Sequence, residues 1–261
     1  MKKLNYIFIG GKQLGYNCLN FLLKKNNKPI FLVPNLDDDG NDNDFNKSLR
    51  KLGKKNRIDI ISLKRLNKQI KKKKIDVDII FCLGSSQIIP KNILENSKLG
   101  ALNIHPSLLP KYRGRYSIPR AIFCGEKFSG ISVHWIGKKV DTGKVISQVR
   151  IKINKEDTAE TIYKKFTSVA SFEFKRLYPK IIKNVKFKYK NINFKSSKYK
   201  KKSLPNNGNI NWSWSGEKIL RFIRSMLHEP FPPPKFNIGR KKYFIVSESY
   251  LNKNKFLKSP K

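Results

Sequence analysis

The sequence predicts an α/β domain on a mostly parallel, twisted sheet flanked by helices, followed by a small C-terminal α+β subdomain. Three observations predict it. Strand-like and helix-like patterns alternate up to about residue 183, the order expected of a chain whose strands run parallel. Asp76–Leu83 (DVDIIFCL) is a nearly unbroken apolar run, as in a central strand covered on both faces. Asn5–Gly10 (NYIFIG) runs into Gly10–Gly11 and then a helical repeat, which reads as strand, tight turn and helix.

The elements follow in order. The first helix spans about Gln13–Lys25, with Leu14, Cys18, Leu19 and Leu22 on one face. Pro29–Val33 is a second strand, and Asn35–Asn46 (NLDDDGNDNDFN) a polar acidic loop. That loop lacks the spacing and closing Glu of a calcium site. Lys64–Lys74 is a solvated helix, and Gly84–Pro90 a loop after the central strand. Ala101–Ile104 is a short strand ended by Pro106, Ile118–Cys124 a helix, and Ser129–Ile136 and Val145–Ile153 two further strands. A long amphipathic helix fills Thr158–Ile182, capped by Asp157 or Thr158. The main domain therefore covers 1–183. A basic linker with interleaved aromatics (Phe187, Tyr189, Phe194, Tyr199) crosses the surface at 184–203. The small subdomain covers 204–250: a turn at Pro205–Gly208, a strand at Asn209–Trp214, a helix at Ser215–Leu227 capped by Ser215, an extended Pro230–Pro234 and a strand at Tyr243–Ser247. A flexible tail ends the chain at 251–261.

Composition bounds the function. Hydrophobic residues make up 39% of 261, enough for a core. There is no apolar run of membrane-spanning length, so no membrane association is expected. Met1–Gly11 reads as a strand and not as a signal peptide. The three cysteines, Cys18, Cys82 and Cys124, are widely spaced and form no CxxC. They predict free thiols in a reducing cytoplasm and no metal site. The net charge of +39 comes from 57 basic and 18 acidic side chains. Only 11 of the basic residues are arginine, and the chain is rich in Asn and Ile. This pattern reads as an AT-rich coding bias expressed on solvated surfaces. Nucleic-acid readers favour Arg, and a polyanionic partner is the alternative reading.

The chemistry concentrates in Asn103–Gly114 (NIHPSLLPKYRG). Asn103 and His105 are two apart at a strand end, so both point to one face, starting about 7 Å apart. Pro106 stops the strand, and Ser107–Pro110 forms a rigid loop. Lys111, Tyr112, Arg113 and Arg115 flank Gly114 and suit anionic groups. A second stretch, Gly137–Gly143 (GKKVDTG), sets Asp141 in a glycine-bracketed loop. A carboxylate beside an imidazole raises its pKa and fixes its tautomer. His134 and His228 read as structural histidines, and Trp212 and Trp214 as packing residues.

NIHPSLLPKYRG together with VDTG resembles the 10-formyltetrahydrofolate-dependent formyltransferases. Three further segments extend the likeness: IFCLGSSQIIP, GEKFSGISVHWI and INWSWSGEKILRFIRSMLHEPFPPP. The resemblance covers about four-fifths of the chain and implies a Rossmann-like formyltransferase fold. It implies Asn103, His105 and Asp141 as the catalytic triad and 10-formyltetrahydrofolate as co-substrate, with no metal. It places Gln87, Ile88 and Ile89 on one side of the pterin. Gly137, Lys138, Lys139 and Val140 close the other side, and Ser107, Leu108, Leu109 and Pro110 border it.

The acceptor is assigned by Lys111, Tyr112, Arg113, Gly114, Arg115 and Tyr116. The RGR form of this stretch resembles the sugar N-formyltransferases, where the second Arg, here Arg115, contacts the nucleotide-sugar. The tRNA enzymes carry small residues at the positions of Arg115 and Tyr116, and the region after Pro205 is short for their β-barrel domain. A nucleotide-linked amino sugar is therefore the expected acceptor, in lipopolysaccharide or O-antigen synthesis. Methionyl-tRNA is the second candidate, supported by the charge and the basic linker. Glycinamide ribonucleotide formylation and formyltetrahydrofolate hydrolysis share the triad. A retired scaffold binding RNA would show a damaged triad, whereas all three residues are present. A homodimer through the C-terminal segment rests on family resemblance alone.

Overall fold

The computed structural model describes residues 3–72, 75–194, 204–228 and 231–246. The second half of the expected linker (195–203, with Tyr199), Pro230, the end of the last expected strand and the tail lie outside these residues.

A six-stranded sheet in the order β2-β1-β3-β4-β5-β6 forms the centre. Its strands are β1 (Tyr6–Gly10), β2 (Phe31–Pro34), β3 (Ile79–Leu83), β4 (Ala101–His105), β5 (Phe128–Trp135) and β6 (Val145–Lys152). β1 to β4 pair in parallel, while β5 and β6 add on in antiparallel fashion. The order changes direction at β1, which has β2 on one side and β3 on the other. Such a switch point opens a crevice beyond the carboxyl ends of the strands.

The apolar runs in the sequence have a direct cause. Tyr6 and Phe8 of β1 join a core on one face of the sheet with α1 (Lys12–Lys24) and α6 (Ala159–Ile182). Ile7 and Ile9 join the core on the other face, with Leu66 of α3 (Leu63–Lys72) and Ile93 of α4 (Lys91–Glu95). Both faces are dry, so alternation disappears. Phe174 of α6 stands edge-on to Phe81 of β3 at 5.3 Å and to Phe21 of α1 at 6.2 Å. Thr158 caps α6 through a capping box with Thr161, which decides between the two expected caps. Buried Glu173 is matched by Ser147 and Arg176.

Two short helices escaped the sequence patterns, α4 and α2 (Leu49–Lys55). Each is under two turns, too short to show a period. The Ser48 hydroxyl accepts from the Lys51 amide and starts α2.

The C-terminal part departs further from expectation. The strand expected at Asn209–Trp214 shrinks to one bridge, Asn209 to Lys235. The Asn211 side chain and carbonyl accept from Ser213 and Trp214 and turn the chain instead. A hairpin of β7 (Lys235–Ile238) and β8 (Lys241–Phe244) stands near the expected last strand. Ser215 precedes α7 (Gly216–Met226) without a side-chain capping bond. Phe222 of α7 and Trp214 pack on Phe123 of α5 (Ser117–Phe123). Trp212 contradicts the packing expectation: it is 61% exposed and only edges onto Phe236. At 184–194, Phe187 packs on Trp135 and the Lys190 amide donates to the Val145 carbonyl at 2.8 Å.

Phe174 bridges α1, α6 and the sheet and is fully buried. Phe174→Ala is expected to cost about 3–5 kcal/mol of stability through the cavity it leaves. Denaturant unfolding checks this, with the exposed Phe172→Ala as the reference that stays near wild type.

Candidate active site

β4 carries the site. Asn103 and His105 alternate with buried Leu102 and Ile104, so they share one face. Asn103 is half-buried, and His105 is buried at 5% exposure. β5 runs antiparallel beside them, pairing His134 with Asn103 and Ser132 with His105. β5 therefore leads away from the carboxyl end of β4, and the 137–143 loop must double back to reach His105. It does so through Asp141, whose φ of +52° is left-handed, a strained choice for a non-glycine residue. A Cβ on Gly143 would lie 1.6 Å from the Trp135 carbonyl oxygen, and one on Gly137 3.1 Å from the Gly143 Cα. The glycine bracket lets the two ends of the loop touch.

The contacts determine the proton positions. Nε2 of His105 lies 3.0 Å from the Tyr112 carbonyl oxygen. A carbonyl only accepts, so Nε2 carries hydrogen. Nδ1 faces the Asp141 Oδ2 at 3.4 Å. The same Oδ2 accepts from the Gly114 amide at 2.8 Å. Nδ1 of His134 donates to the Trp135 carbonyl at 3.0 Å. In the neutral ring this leaves Nε2 as acceptor for the Asn103 amide at 3.1 Å. Oδ1 of Asp141 lies 3.6 Å from that same Nε2.

The electrostatics follow from these contacts. Burial pushes the Asp141 carboxyl up, but His105, His134 and the Gly114 N–H outweigh it and hold it at about 2. Asp141 is therefore a carboxylate. Burial pushes the His105 pKa below its ordinary value; Asp141 and the Tyr112 carbonyl oppose this and His134 adds to it. His105 is neutral near pH 7, with Nδ1 open to a proton and an anion beside it to steady the charge.

The residues named around the triad divide into two groups. Tyr112 and Gly114 are brought to it through their backbones, by way of left-handed Tyr112 and Tyr116 and positive-φ Gly114. The side chains of Lys111 and Tyr112 instead both bind Glu126, at 2.9 Å and 2.8 Å. Arg115 is exposed, while Tyr116 packs edge-on to Phe231 at 5.4 Å. Leu108 lies over Gly130, where a Cβ would come within 2.6 Å of it. Ile88 is 74% exposed, Ile89 packs into the core, and Lys138, Lys139 and Val140 are open to solvent.

Three residues hold this arrangement, of which the sequence singled out only His134, as a structural histidine. His134 touches both Asn103 and Asp141, beyond the structural role expected of it. The Ser132 hydroxyl donates to the Ser107 carbonyl at 2.7 Å and accepts from the Leu109 amide at 2.9 Å. Gln148 of β6 donates to the Ser132 hydroxyl and to the Leu109 carbonyl. Ser132 and His134 share a face in the alternating SGISVHWI, but only the β4–β5 register shows which face. His228 fits its structural reading: Phe45, Tyr163 and Phe231 surround it, and burial, first among its causes, pushes its pKa down to about 4. All three cysteines are free thiols. Among the described residues no cluster of three or more His, Cys, Asp or Glu could hold a metal, and no helix is long and apolar enough to cross a membrane.

Comparison with known proteins places this geometry. The bifunctional polymyxin resistance protein ArnA of Wigglesworthia glossinidia brevipalpis is 34% identical over 84% of this chain and 34% of its own length. The methionyl-tRNA formyltransferase of Pelagibacter ubique is 38% identical over 70% of this chain and 58% of its own. The chain thus spans between about a third and three-fifths of these relatives. The crystal structure of WlaRD, a sugar 3N-formyl transferase in the presence of dTDP and 5-N-formyl-THF, superposes with a TM-score of 0.76. It is 28% identical, covering 91% of this chain and 84% of that one. The family profile described as formyl transferase matches residues 43–179, about half of the chain, and spans β3, β4, β5 and the whole triad. The chain belongs to the formyl transferase family.

Proposed function

We propose that the protein transfers a formyl group from 10-formyltetrahydrofolate to the amine of a nucleotide-linked amino sugar. The observation that carries the chemistry is the convergence of a neutral imidazole, a buried carboxylate and a carboxamide on one strand end. The likeness to WlaRD, crystallised with dTDP and a formylated folate, supports the acceptor class.

The loops beside the triad fit a planar, largely apolar co-substrate. Ile88 on one and Val140 on the other leave apolar side chains in solvent. Gln87, Ile88, Ile89, Ser107–Pro110 and Gly137–Val140 would hold the folate, which supplies an already activated formyl group. The residues do the rest. The Asn103 amide gives one hydrogen to His134 and keeps the second for the formyl oxygen as negative charge grows there. His105 takes the proton shed by the acceptor amine on Nδ1, since Nε2 is already a donor to Tyr112, and passes it to the folate nitrogen as the bond from that nitrogen to the formyl carbon breaks. Asp141 stabilises the imidazolium, and the Gly114 amide keeps its carboxylate in place. Arg113, Arg115 and Tyr116 select the acceptor. Methionyl-tRNA is the second reading, favoured by the Pelagibacter relative.

Asn103→Ala is expected to lower kcat about 10²–10³-fold, and His105→Ala about 10²–10⁴-fold, in a formyl-transfer assay. NMR titration of the imidazoles should place the His105 pKa below about 6.5. Asp141→Asn should move it lower still, because the anion that favours the charged ring is gone. A rise in that variant would contradict the assignment of Asp141. Acceptors are settled by offering dTDP- and UDP-4-amino sugars and charged initiator tRNA with 10-formyltetrahydrofolate. The expected product is the formylated sugar, and product with tRNA alone sinks the sugar reading.

A further inference from the structure

Asn35 follows β2, opens the acidic 35–46 loop and is 2% exposed. Its backbone amide donates to the Gly10 carbonyl at 2.8 Å. Its side-chain Nδ2 donates to the Gly84 carbonyl at 2.9 Å, and its Oδ1 accepts from the Ser86 amide at 3.0 Å. One side chain thus joins the turn after β1 to the loop after β3. Next to it, Nε2 of Gln87 donates to the Pro34 carbonyl at 3.1 Å.

The glycines here make room for that side chain. A Cβ on Gly11 would stand 2.5 Å from the Asn35 Nδ2, and one on Gly84 2.2 Å from the Gly11 carbonyl oxygen. The Gly11 amide donates to the Leu83 carbonyl at 3.2 Å. Backbone lies on backbone along this seam, and Asn35 closes it with one donor and one acceptor. Aspartate lacks the donor, alanine lacks both, and glutamine adds a methylene where there is no space.

The seam lies beside the catalytic strand. Cys82 is the register partner of Asn103, and the loop begins two residues later at Gly84. That loop carries the exposed Ile88. We propose that Asn35 is a positioning residue: it docks the 84–89 loop against the β1–α1 turn and so sets the affinity for folate. This rests on the reading of the 84–89 loop as folate-lining. The loop keeps a local turn of its own, with the Gln87 amide donating to the Ser85 hydroxyl at 3.1 Å. Loss of Asn35 therefore loosens the loop's placement more than its shape.

The test compares wild type, Asn35→Asp and Asn35→Ala. KM is measured for 10-formyltetrahydrofolate and for the acceptor, with direct titration by 5-formyltetrahydrofolate and a thermal melt. The folate KM and Kd are expected to rise about tenfold, since both variants lose the buried donor to the Gly84 carbonyl. The acceptor KM, and kcat at saturating folate, should stay within about twofold. A purely structural role would lower Tm and the active fraction while leaving the folate KM unchanged, and that pattern overturns the proposal. Asn35→Asp keeps size and acceptor, so it decides the matter if the alanine variant fails to fold. If wild type binds no 5-formyltetrahydrofolate, the folate reading falls and takes this inference with it. If wild type binds and Asn35→Asp binds equally well, only the inference falls.

Discussion

The site depends on keeping one carboxylate charged inside the protein. Asp141 is almost fully enclosed, and an unpaired buried anion would take up a proton. The Gly114 amide from the loop after β4 donates to it, and His105 from β4 lies against it, so a proton entering the site goes to the imidazole and leaves the carboxylate charged. Neither is a sequence neighbour of Asp141, so the charge survives only when strand pairing and both loops are in place. The left-handed backbone at Asp141 and the contact between Gly137 and Gly143 are consequences of bringing that carboxylate back over β4.

The same need organises the histidines. His105 must be neutral to accept a proton and must have an anion beside it to hold the proton once taken. Burial supplies the first condition and Asp141 the second. Committing Nε2 to the Tyr112 carbonyl leaves Nδ1 as the nitrogen open to a proton. His134 is anchored by the Trp135 carbonyl, so it presents a lone pair that fixes the Asn103 amide. Proton positions at all three side chains follow from backbone carbonyls, which cannot rotate away as water could.

Loops at the carboxyl edge are held by polar side chains from the strands and from the segments beside them. Ser132 and Gln148 clamp the 107–110 stretch from β5 and β6. Asn35 and Gln87 fasten the 84–89 loop to the end of β2. The sheet contributes rigidity because both of its faces are dry.

Asn103, His105 and Asp141 were legible from the sequence, because a two-residue spacing at a strand end and a glycine-bracketed Asp are local patterns. So were the six strands and the long helix α6, whose apolar runs report burial directly. What α2 and α4 lacked was length, and Asn209–Trp214 misled because its apolar alternation was broken by Asx bonding at Asn211. His134, Ser132, Gln148 and Asn35 had no local signal, since their partners lie in other elements. The sequence by itself determined the fold class and the family. Only the tertiary structure decided which nitrogen of His105 is free, that Lys111 and Tyr112 spend their side chains on Glu126, and which side chains hold the loops. Periodicity records burial, which each residue carries alone, whereas a hydrogen bond needs a partner whose position only the folded chain supplies.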